Sequence, residues 1–159
     1  MKDHYLRFWF RYVHPNRSQL ERGGSKIILE NAVLPEIDHF TSLAFEEICQ
    51  QRLWQLGLLG KLPFMPTHIG NWWNANEEID LVVLGKTDAI LVECKWTSKQ
   101  VGVDILANLE RKADLARSDL ENRPMRFGLC SRSGFTPQLI DMAAKRQDVM
   151  LLDLPEILG

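Results

Sequence analysis

Two neighbouring stretches of the chain carry charged side chains among aliphatic residues. Residues 78–84 include Asp80, and residues 89–97 include Glu93 and Lys95. The aliphatic residues around them predict two strands joined by a tight turn. Side chains alternate along a strand, so Glu93 and Lys95 share one face about 6–7 Å apart. Because a strand buried on both faces is normally apolar, these charges indicate either chemistry or a solvated strand end.

The turn between the two strands sets how the acidic residues face each other. If residues 85–88 form the turn, Leu84 pairs with Ala89, and Asp80 lies directly across from Glu93. Their Cβ atoms would then be about 4.5–5.5 Å apart. Opposed carboxylates destabilise an empty sheet but are favourable around a hard divalent cation. Asp80 and Glu93 are therefore predicted to ligate Mg2+ or Mn2+.

Lys95 and Glu46 complete a predicted catalytic set with these two ligands. Lys95 would orient or deprotonate a water, or stabilise negative charge on a phosphate. Glu46, on a predicted helix, would bring a further carboxylate to the metal or orient its waters. Such a set can perform metal-assisted phosphodiester hydrolysis. The alternative is a solvated strand end in which Glu78 and Lys95 form a surface ion pair.

Helix and strand signals predict the elements that position this set. The predicted helices cover residues 2–13, 36–55 and 103–120 and a segment that begins at Thr136–Pro137; the predicted strands cover residues 67–73, 79–84, 89–97, 125–130 and 149–154. This order predicts an α/β domain with a mixed sheet. The first helix is expected to end before Pro15. Its aromatic residues Tyr5, Phe8, Trp9 and Tyr12 fall on one face, which favours packing against a core over binding a ligand.

Length and composition indicate one globular domain over residues 1–159, with an N-terminal helical extension (1–34) and a core (35–159). A 45% hydrophobic and 25% charged chain is typical of a soluble protein. We find no apolar run of about 18 residues and no secretory signal, so we expect a cytoplasmic protein without a membrane span. The three cysteines are widely spaced, which predicts reduced thiols and neither a disulfide framework nor a zinc site.

The charge balance first argues against a nucleic-acid coating protein, because 19 Lys+Arg face 21 Asp+Glu, a net charge of -2. Residues 95–146, however, hold 10 Lys+Arg and 6 Asp+Glu. This half is therefore locally basic, as a phosphate-binding face would be. Its predicted nucleic-acid contacts are Lys99, Arg111, Lys112, Arg132, Ser131 and Thr136. Trp72 and Trp73 would stack on bases, or else one packs in the core while the other covers a sheet edge.

The combination of Glu46, Asp80, Glu93 and Lys95 in this element order resembles the PD-(D/E)xK, or restriction-endonuclease-like, nuclease superfamily. The resemblance implies an αβββαβ core with a mixed central sheet flanked by helices, preceded here by an extra N-terminal aromatic helix. It also implies a Mg2+-dependent endonuclease. DNA is the expected substrate, and RNA remains an alternative.

Nearly the whole chain is similar to the C-terminal nuclease-like domain of archaeal and bacterial AAA+-type ATPases. The strings that carry this similarity are Tyr5–Asn16, Phe45–Glu46, Ile69–Trp73, Glu78–Asp80, Glu93–Trp96 and Ser133–Phe135. The chain contains no ATPase or winged-helix module, so the similarity implies an ATPase partner in trans or in a longer chain. Two alternatives stay open: a catalytically silent module that binds nucleic acid or an ATPase, and a structural domain that forms a homodimer.

Overall fold

The computed structural model of the protein describes residues 3–159 and divides the chain into two compact units, residues 1–44 and 45–159. The boundary lies within the long helix α4 (Ile37–Leu58). It falls beyond residue 34, where the N-terminal extension is predicted to end. The organisation of residues 1–159 as a single domain stays a prediction.

The first unit is built from short helical segments. They are α1 (His4–Phe8), a π-helical turn (Trp9–Val13), a 3-10 turn (His14–Asn16), α2 (Arg17–Leu20), α3 (Ser25–Ile28) and a second π-helical turn (Leu29–Val33). Lys2, the predicted start of the first helix, lies outside the described residues. The predicted end before Pro15 is confirmed, because α1 and the π-helical turn that continues it end at Val13 and a separate 3-10 turn begins at His14. Pro15 occupies the first turn of the 3-10 segment, where its missing N–H breaks no helical hydrogen bond.

The aromatic residues of the first unit do not all face one core. The His14 N–H bonds to the Trp9 carbonyl, five residues back, and this wider turn changes the spacing on which the predicted stripe depends. Tyr12 is only 2% exposed and packs with Ile28, whereas Tyr5 is 69% exposed. The predicted core packing is therefore confirmed for Tyr12 and wrong for Tyr5.

The second unit contains a five-stranded mixed sheet, as predicted. Its strands, in spatial order, are β1 (His68–Trp73), β2 (Glu78–Leu84), β3 (Ala89–Lys95), β4 (Met125–Ser131) and β5 (Val149–Asp153). The first three strands pair antiparallel and the last three pair parallel. The helices that follow α4 are α5 (Val103–Ala116), α6 (Pro137–Ala144) and α7 (Leu154–Leu158). Only α7 has no counterpart in the prediction.

Helices cover both faces of the sheet. On one face α4 contributes Phe45, Cys49 and Leu53 to a core shared with β2, β3 and β4. On the other face α5 and α6 pack against the alternate residues of the same strands. The expected α/β fold, with an αβββαβ order from α4 onward, is confirmed. Within residues 3–159, no helix combines the length and apolar character needed to cross a membrane.

Because β3 is the central strand of the sheet, a charged residue on it is buried. All residues of β3 except Lys95 are buried, including the carboxylate residue Glu93. A buried charge needs a partner, because removing it from water without one is costly. The end of β3 is therefore where polar interactions must be concentrated.

Candidate active site

The β2–β3 hairpin brings Asp80 to the end of β3. Its ladder has the predicted register, from the Leu84–Ala89 pair through the next three pairs. The described ladder stops there and does not include the predicted pairing of Asp80 with Glu93. Instead, Asp80 Oδ2 accepts a hydrogen bond from the backbone N–H of Cys94 at 2.8 Å. Asp80 is thus bound to the backbone directly after Glu93.

Glu93 is held by two ammonium groups. Lys95 Nζ donates to Glu93 Oε1 at 2.6 Å, and Lys112 Nζ donates to Glu93 Oε2 at 3.0 Å. The Glu93 side chain is 6% exposed and that of Lys112 is 9% exposed. These two ion pairs offset the cost of burying the carboxylate on the central strand. The predicted alternative, a surface ion pair between Glu78 and Lys95, does not describe this arrangement, because Lys95 is paired with Glu93.

Lys112 is a residue whose role the sequence analysis missed. The sequence predicts Lys112 on the phosphate-binding surface, but it lies on the buried face of α5 with its ammonium group bonded to Glu93. A buried lysine paired inside the protein cannot serve as a surface phosphate contact, so this prediction is corrected. The signal was present in the sequence, because Lys112 follows Leu109 by three residues and so shares the buried stripe of the helix.

Glu46 supplies a third carboxyl group close to Asp80. It lies on α4, next to the buried Phe45, and is itself half-buried. Burial, followed by the negative charge of Asp80, raises the pKa of Glu46 to about 7. The structure therefore holds Asp80, Glu93 and Lys95 in one set of hydrogen bonds at the end of β3, and Glu46 on α4 lies close enough to Asp80 to be affected by its charge.

The electrostatics of this acidic cluster (Glu46, Asp80 and Glu93, with Lys95 and Lys112) are those of crowded carboxylates. Burial and the charge of Glu93 together raise the pKa of Asp80 to about 6. Burial lowers the pKa of Lys95, but the hydrogen bond and charge of Glu93 outweigh it, so the net shift is upward. Lys95 therefore stays an ammonium at neutral pH.

The carboxylate oxygens of Asp80 and Glu93 are the type of donor that a hard divalent cation takes, but together with Glu46 they do not form a group within 4.8 Å of one another. Carboxylate oxygens are the ligands that Mg2+ prefers, and a cation would relieve the repulsion that, after burial, is the next cause of the raised pKa values of Asp80 and Glu46. Both oxygens of Glu93 already accept hydrogen bonds from lysines. A cation that binds Glu93 would therefore compete with these ammonium groups for its lone pairs.

The other predicted nucleic-acid contacts differ in their accessibility. Lys99, Arg111 and Arg132 are exposed, and the Arg132 guanidinium lies 4.5 Å from the centre of the Trp96 ring. Arg111 is bonded to Glu77. These positions are compatible with a phosphate-binding surface, which stays a prediction.

Ser131 and Thr136 have roles within the protein. Ser131 is fully buried, and its hydroxyl donates to the carbonyl of Gly134 at 2.9 Å. Its predicted phosphate contact is corrected, because the hydroxyl stabilises the turn after β4, where Gly134 has a φ of 74°. Thr136 is the N-cap of α6, as predicted, and its hydroxyl oxygen accepts from the Leu139 N–H.

The two adjacent tryptophans separate into a core residue and an edge residue. Trp72 is 9% exposed and its Nε1–H donates to Asp119 at 2.9 Å. Trp73 is 67% exposed. The alternative in which one of them packs in the core is confirmed for Trp72, and base stacking by Trp73 stays a prediction.

A second polar cluster, not predicted from the sequence, lies close to the first. The thiol groups of Cys49, Cys94 and Cys130 converge from α4, β3 and β4, and their Sγ atoms all lie within 4.8 Å of one another. All three residues are buried. We call this group the thiol cluster. Linear spacing carries no signal for it, because the three elements meet only in the folded sheet.

One known protein has a sequence similar to part of this chain. An uncharacterised protein of Methanocaldococcus jannaschii, MJECL04, is 37% identical over 98 residues, which are 60% of this chain and 22% of that protein. The chain therefore spans about a fifth of the length of this relative.

Two solved structures have a loosely similar fold. A repair endonuclease from Pyrococcus abyssi is 14% identical with a TM-score of 0.47, over 69% of this chain and 46% of that one. A complex of EndoMS with double-stranded DNA is 11% identical with a TM-score of 0.40, over 64% of this chain and 43% of that one.

The family assignment comes from a family model that matches residues 9–113, well over half of the chain. Its range includes Glu46, Asp80, Glu93, Lys95 and Lys112. The chain belongs to DUF234, a family described as archaeal and bacterial proteins of unknown function.

Proposed function

We propose that this chain is a metal-dependent endonuclease that hydrolyses phosphodiester bonds in DNA. The observation that carries the proposal is the buried carboxylate Glu93 at the end of the central strand, with Lys95 Nζ 2.6 Å from it and Asp80 bound to the next backbone N–H. The PD-(D/E)xK resemblance implies a catalytic role for these same residues, which supports the proposal.

Asp80 and Glu93 are the proposed ligands of Mg2+ or Mn2+, with Glu46 as an assisting carboxylate. When bound, the cation would supply a Lewis acid for the phosphodiester oxygens and a water of lowered pKa. Lys95 is an ammonium group held in place by Glu93, so its proposed role is to stabilise negative charge on the reacting phosphate. Lys112 is a positioning residue, because it donates a hydrogen bond to the second oxygen of Glu93.

The test is a cleavage assay on plasmid, single-stranded and branched DNA with Mg2+ or Mn2+. Asp80→Asn and Lys95→Ala are expected to lower cleavage by about 100-fold or more, because each removes a group that acts on the reacting charge. Lys86→Ala is the matched control, since Lys86 is exposed on the turn at the other end of the same hairpin. Full cleavage by both site variants would refute the proposal.

A second candidate function is a catalytically silent module that binds nucleic acid or an ATPase. Both oxygens of Glu93 are already satisfied by Lys95 and Lys112, so this buried carboxylate has its charge partners without a metal. This candidate predicts DNA binding without cleavage under every metal condition, and binding unaffected by Asp80→Asn. An ATPase partner, a homodimer and a cytoplasmic location stay predictions.

A further inference from the structure

The thiol cluster is a set of potential ligands that the proposed nuclease reaction does not use. Cys49, Cys94 and Cys130 are 0%, 7% and 1% exposed, and their Sγ atoms all lie within 4.8 Å of one another. They are also all the cysteines of the chain, which has three. Each comes from a different element, so the fold itself assembles the group.

The geometry of the cluster is close to that of a metal bound by three sulfurs. A metal–sulfur bond of about 2.3 Å places the sulfurs of a planar three-coordinate site about 4 Å apart. Side chains whose sulfurs lie within 4.8 Å of one another need only a small inward movement to reach this separation. Thiolates select soft metals such as Cu+ and Zn2+ and disfavour Mg2+, so this site is chemically distinct from the acidic cluster.

The number of ligands distinguishes between these soft metals. Among the described residues, the group that meets the distance requirement consists of the three cysteines, with no His, Asp or Glu as a fourth member. Structural zinc is almost always bound by four protein ligands. Monovalent copper, in contrast, readily takes three thiolates in a plane.

We propose that the thiol cluster binds one Cu+ ion through the three sulfurs of Cys49, Cys94 and Cys130. Binding involves no change in oxidation state. Each thiol that becomes a ligand forms one sulfur–copper bond and releases its proton to solvent, so affinity rises with pH.

A metal at this position would connect the elements beneath the acidic cluster. Cys49 follows Glu46 by three residues on α4, one helical turn away. The Cys94 backbone N–H holds Asp80, while its side chain belongs to the thiol cluster. The ion would therefore tie α4 to β3 and β4 next to the groups proposed for catalysis. The metal site itself does not depend on the nuclease proposal.

The experiment is a titration of the full chain with Cu+ in the absence of oxygen. A phosphine reductant keeps the thiols reduced without competing as a thiol, and a chromogenic chelator reports free Cu+. The expected result is one Cu+ retained per chain and an X-ray absorption spectrum with three sulfur ligands. Zn2+ in a parallel titration is expected to bind more weakly and to be displaced by Cu+.

Single substitutions identify the ligands. Cys49→Ser, Cys94→Ser and Cys130→Ser are each expected to lower Cu+ affinity by at least about tenfold. Ile90→Val is the matched control, because it perturbs the same core without removing a sulfur. If a serine variant does not fold, the absorption spectrum of the unsubstituted protein decides the question alone.

Four results would overturn the proposal. They are loss of all Cu+ to the chelator, a spectrum with fewer than three sulfurs, preferential binding of Zn2+, and unchanged affinity in the folded serine variants. None of these measurements involves cleavage of DNA. Failure of the copper site is therefore distinguishable from failure of the proposed nuclease activity.

Discussion

The acidic cluster and the thiol cluster meet at the end of the same central strand, yet they are stabilised in different ways. Glu93 points to the side of α5, where Lys112 and Lys95 neutralise it. Cys94, the next residue, points to the side of α4, where it packs with two other thiols in an apolar core. One strand thus presents a charged group to one face and a weakly polar group to the other.

The contrast shows how burial acts on different chemistries. A buried carboxylate requires a compensating cation, so its neighbours are constrained by charge. A buried thiol behaves as a small hydrophobic group and needs no such partner. Removing one member of the acidic cluster should therefore lower the free energy of unfolding strongly. Removing one sulfur of the thiol cluster should lower it only a little when no metal is bound.

The largest expected effect is the loss of Lys112. Lys112→Met should lower the free energy of unfolding by about 3 kcal/mol, because it leaves Glu93 with a single partner in a buried site. Chemical denaturation monitored by circular dichroism measures the change. Lys86→Met, on an exposed turn, should change stability by less than about 0.5 kcal/mol.

A double substitution sharpens this prediction. Glu93→Gln removes the charge that Lys112 compensates, so Lys112→Met should cost much less in a Glu93→Gln background than in the original chain. Equal costs in the two backgrounds would show that Lys112 stabilises the protein through packing of its methylene groups instead.

A smaller effect is expected in the thiol cluster. Cys49→Ala should lower the free energy of unfolding by about 1 kcal/mol in metal-free protein, because it removes one buried sulfur and no charge. The same denaturation experiment measures it in the presence of a chelator. If Cys49→Ala lowers the free energy of unfolding as much as Lys112→Met does, the proposed difference in stabilisation between the two clusters is wrong.

The pH dependence of stability should come from the acidic cluster. The pKa of Glu46 is raised from 4.5 to about 7, and that of Asp80 from 3.8 to about 6, so the folded state binds protons more tightly than the unfolded state. The stability that these two protonated carboxyl groups contribute is fully present at a pH below their unfolded-state pKa values. It is lost as the pH rises to about 7. Thermal unfolding in a chelator should therefore show a falling melting temperature across this interval.

Glu46→Gln tests the origin of that slope. Glutamine does not titrate, so the melting temperature of this variant should fall less between pH 4.5 and about 7. Mg2+ should raise the melting temperature most at the upper end of the range, where the carboxylates are ionised. A slope unchanged by Glu46→Gln would assign the dependence to other groups.

The smallest expected effect is at the surface. Arg132 is exposed and stacks on Trp96, so Arg132→Ala should cost about 0.5–1 kcal/mol of stability. If Arg132 contacts a phosphate, the same change should also reduce the salt dependence of DNA binding. The slope of the logarithm of the binding constant against the logarithm of the salt concentration should become shallower by about one. Fluorescence anisotropy over a salt series measures this, with Lys86→Ala as the control. An unchanged slope would remove Arg132 from the proposed interface.

Much of the acidic cluster is predictable from the sequence because its members are charged residues within apolar stretches. Glu93 and Lys95 stand out in a strand that is otherwise apolar, and the tight turn relates them to Asp80. The register of the hairpin follows from the turn alone, and the structure confirms it up to the last ladder pair. Local periodicity likewise predicts most strands and the long helices within a few residues.

Other features escaped prediction because they depend on distant parts of the chain. The π-helical turns replaced a regular helix in the first unit, where packing around Tyr12 outweighs local periodicity. Asp80 bonds to the Cys94 N–H because the ladder ends before it. Ser131 is buried because β4 passes between two other strands.

The sequence by itself determined the order of elements from α4 to β5, the mixed sheet and the identity of the acidic residues near the end of β3. Each depends on alternation, turn chemistry or a charge in an apolar run, which act over a few residues. Only the tertiary structure decided that Lys112 pairs with Glu93 and that Cys49 and Cys130 meet Cys94. These contacts join residues far apart in the chain, and only the packing of the helices against the sheet brings them within reach.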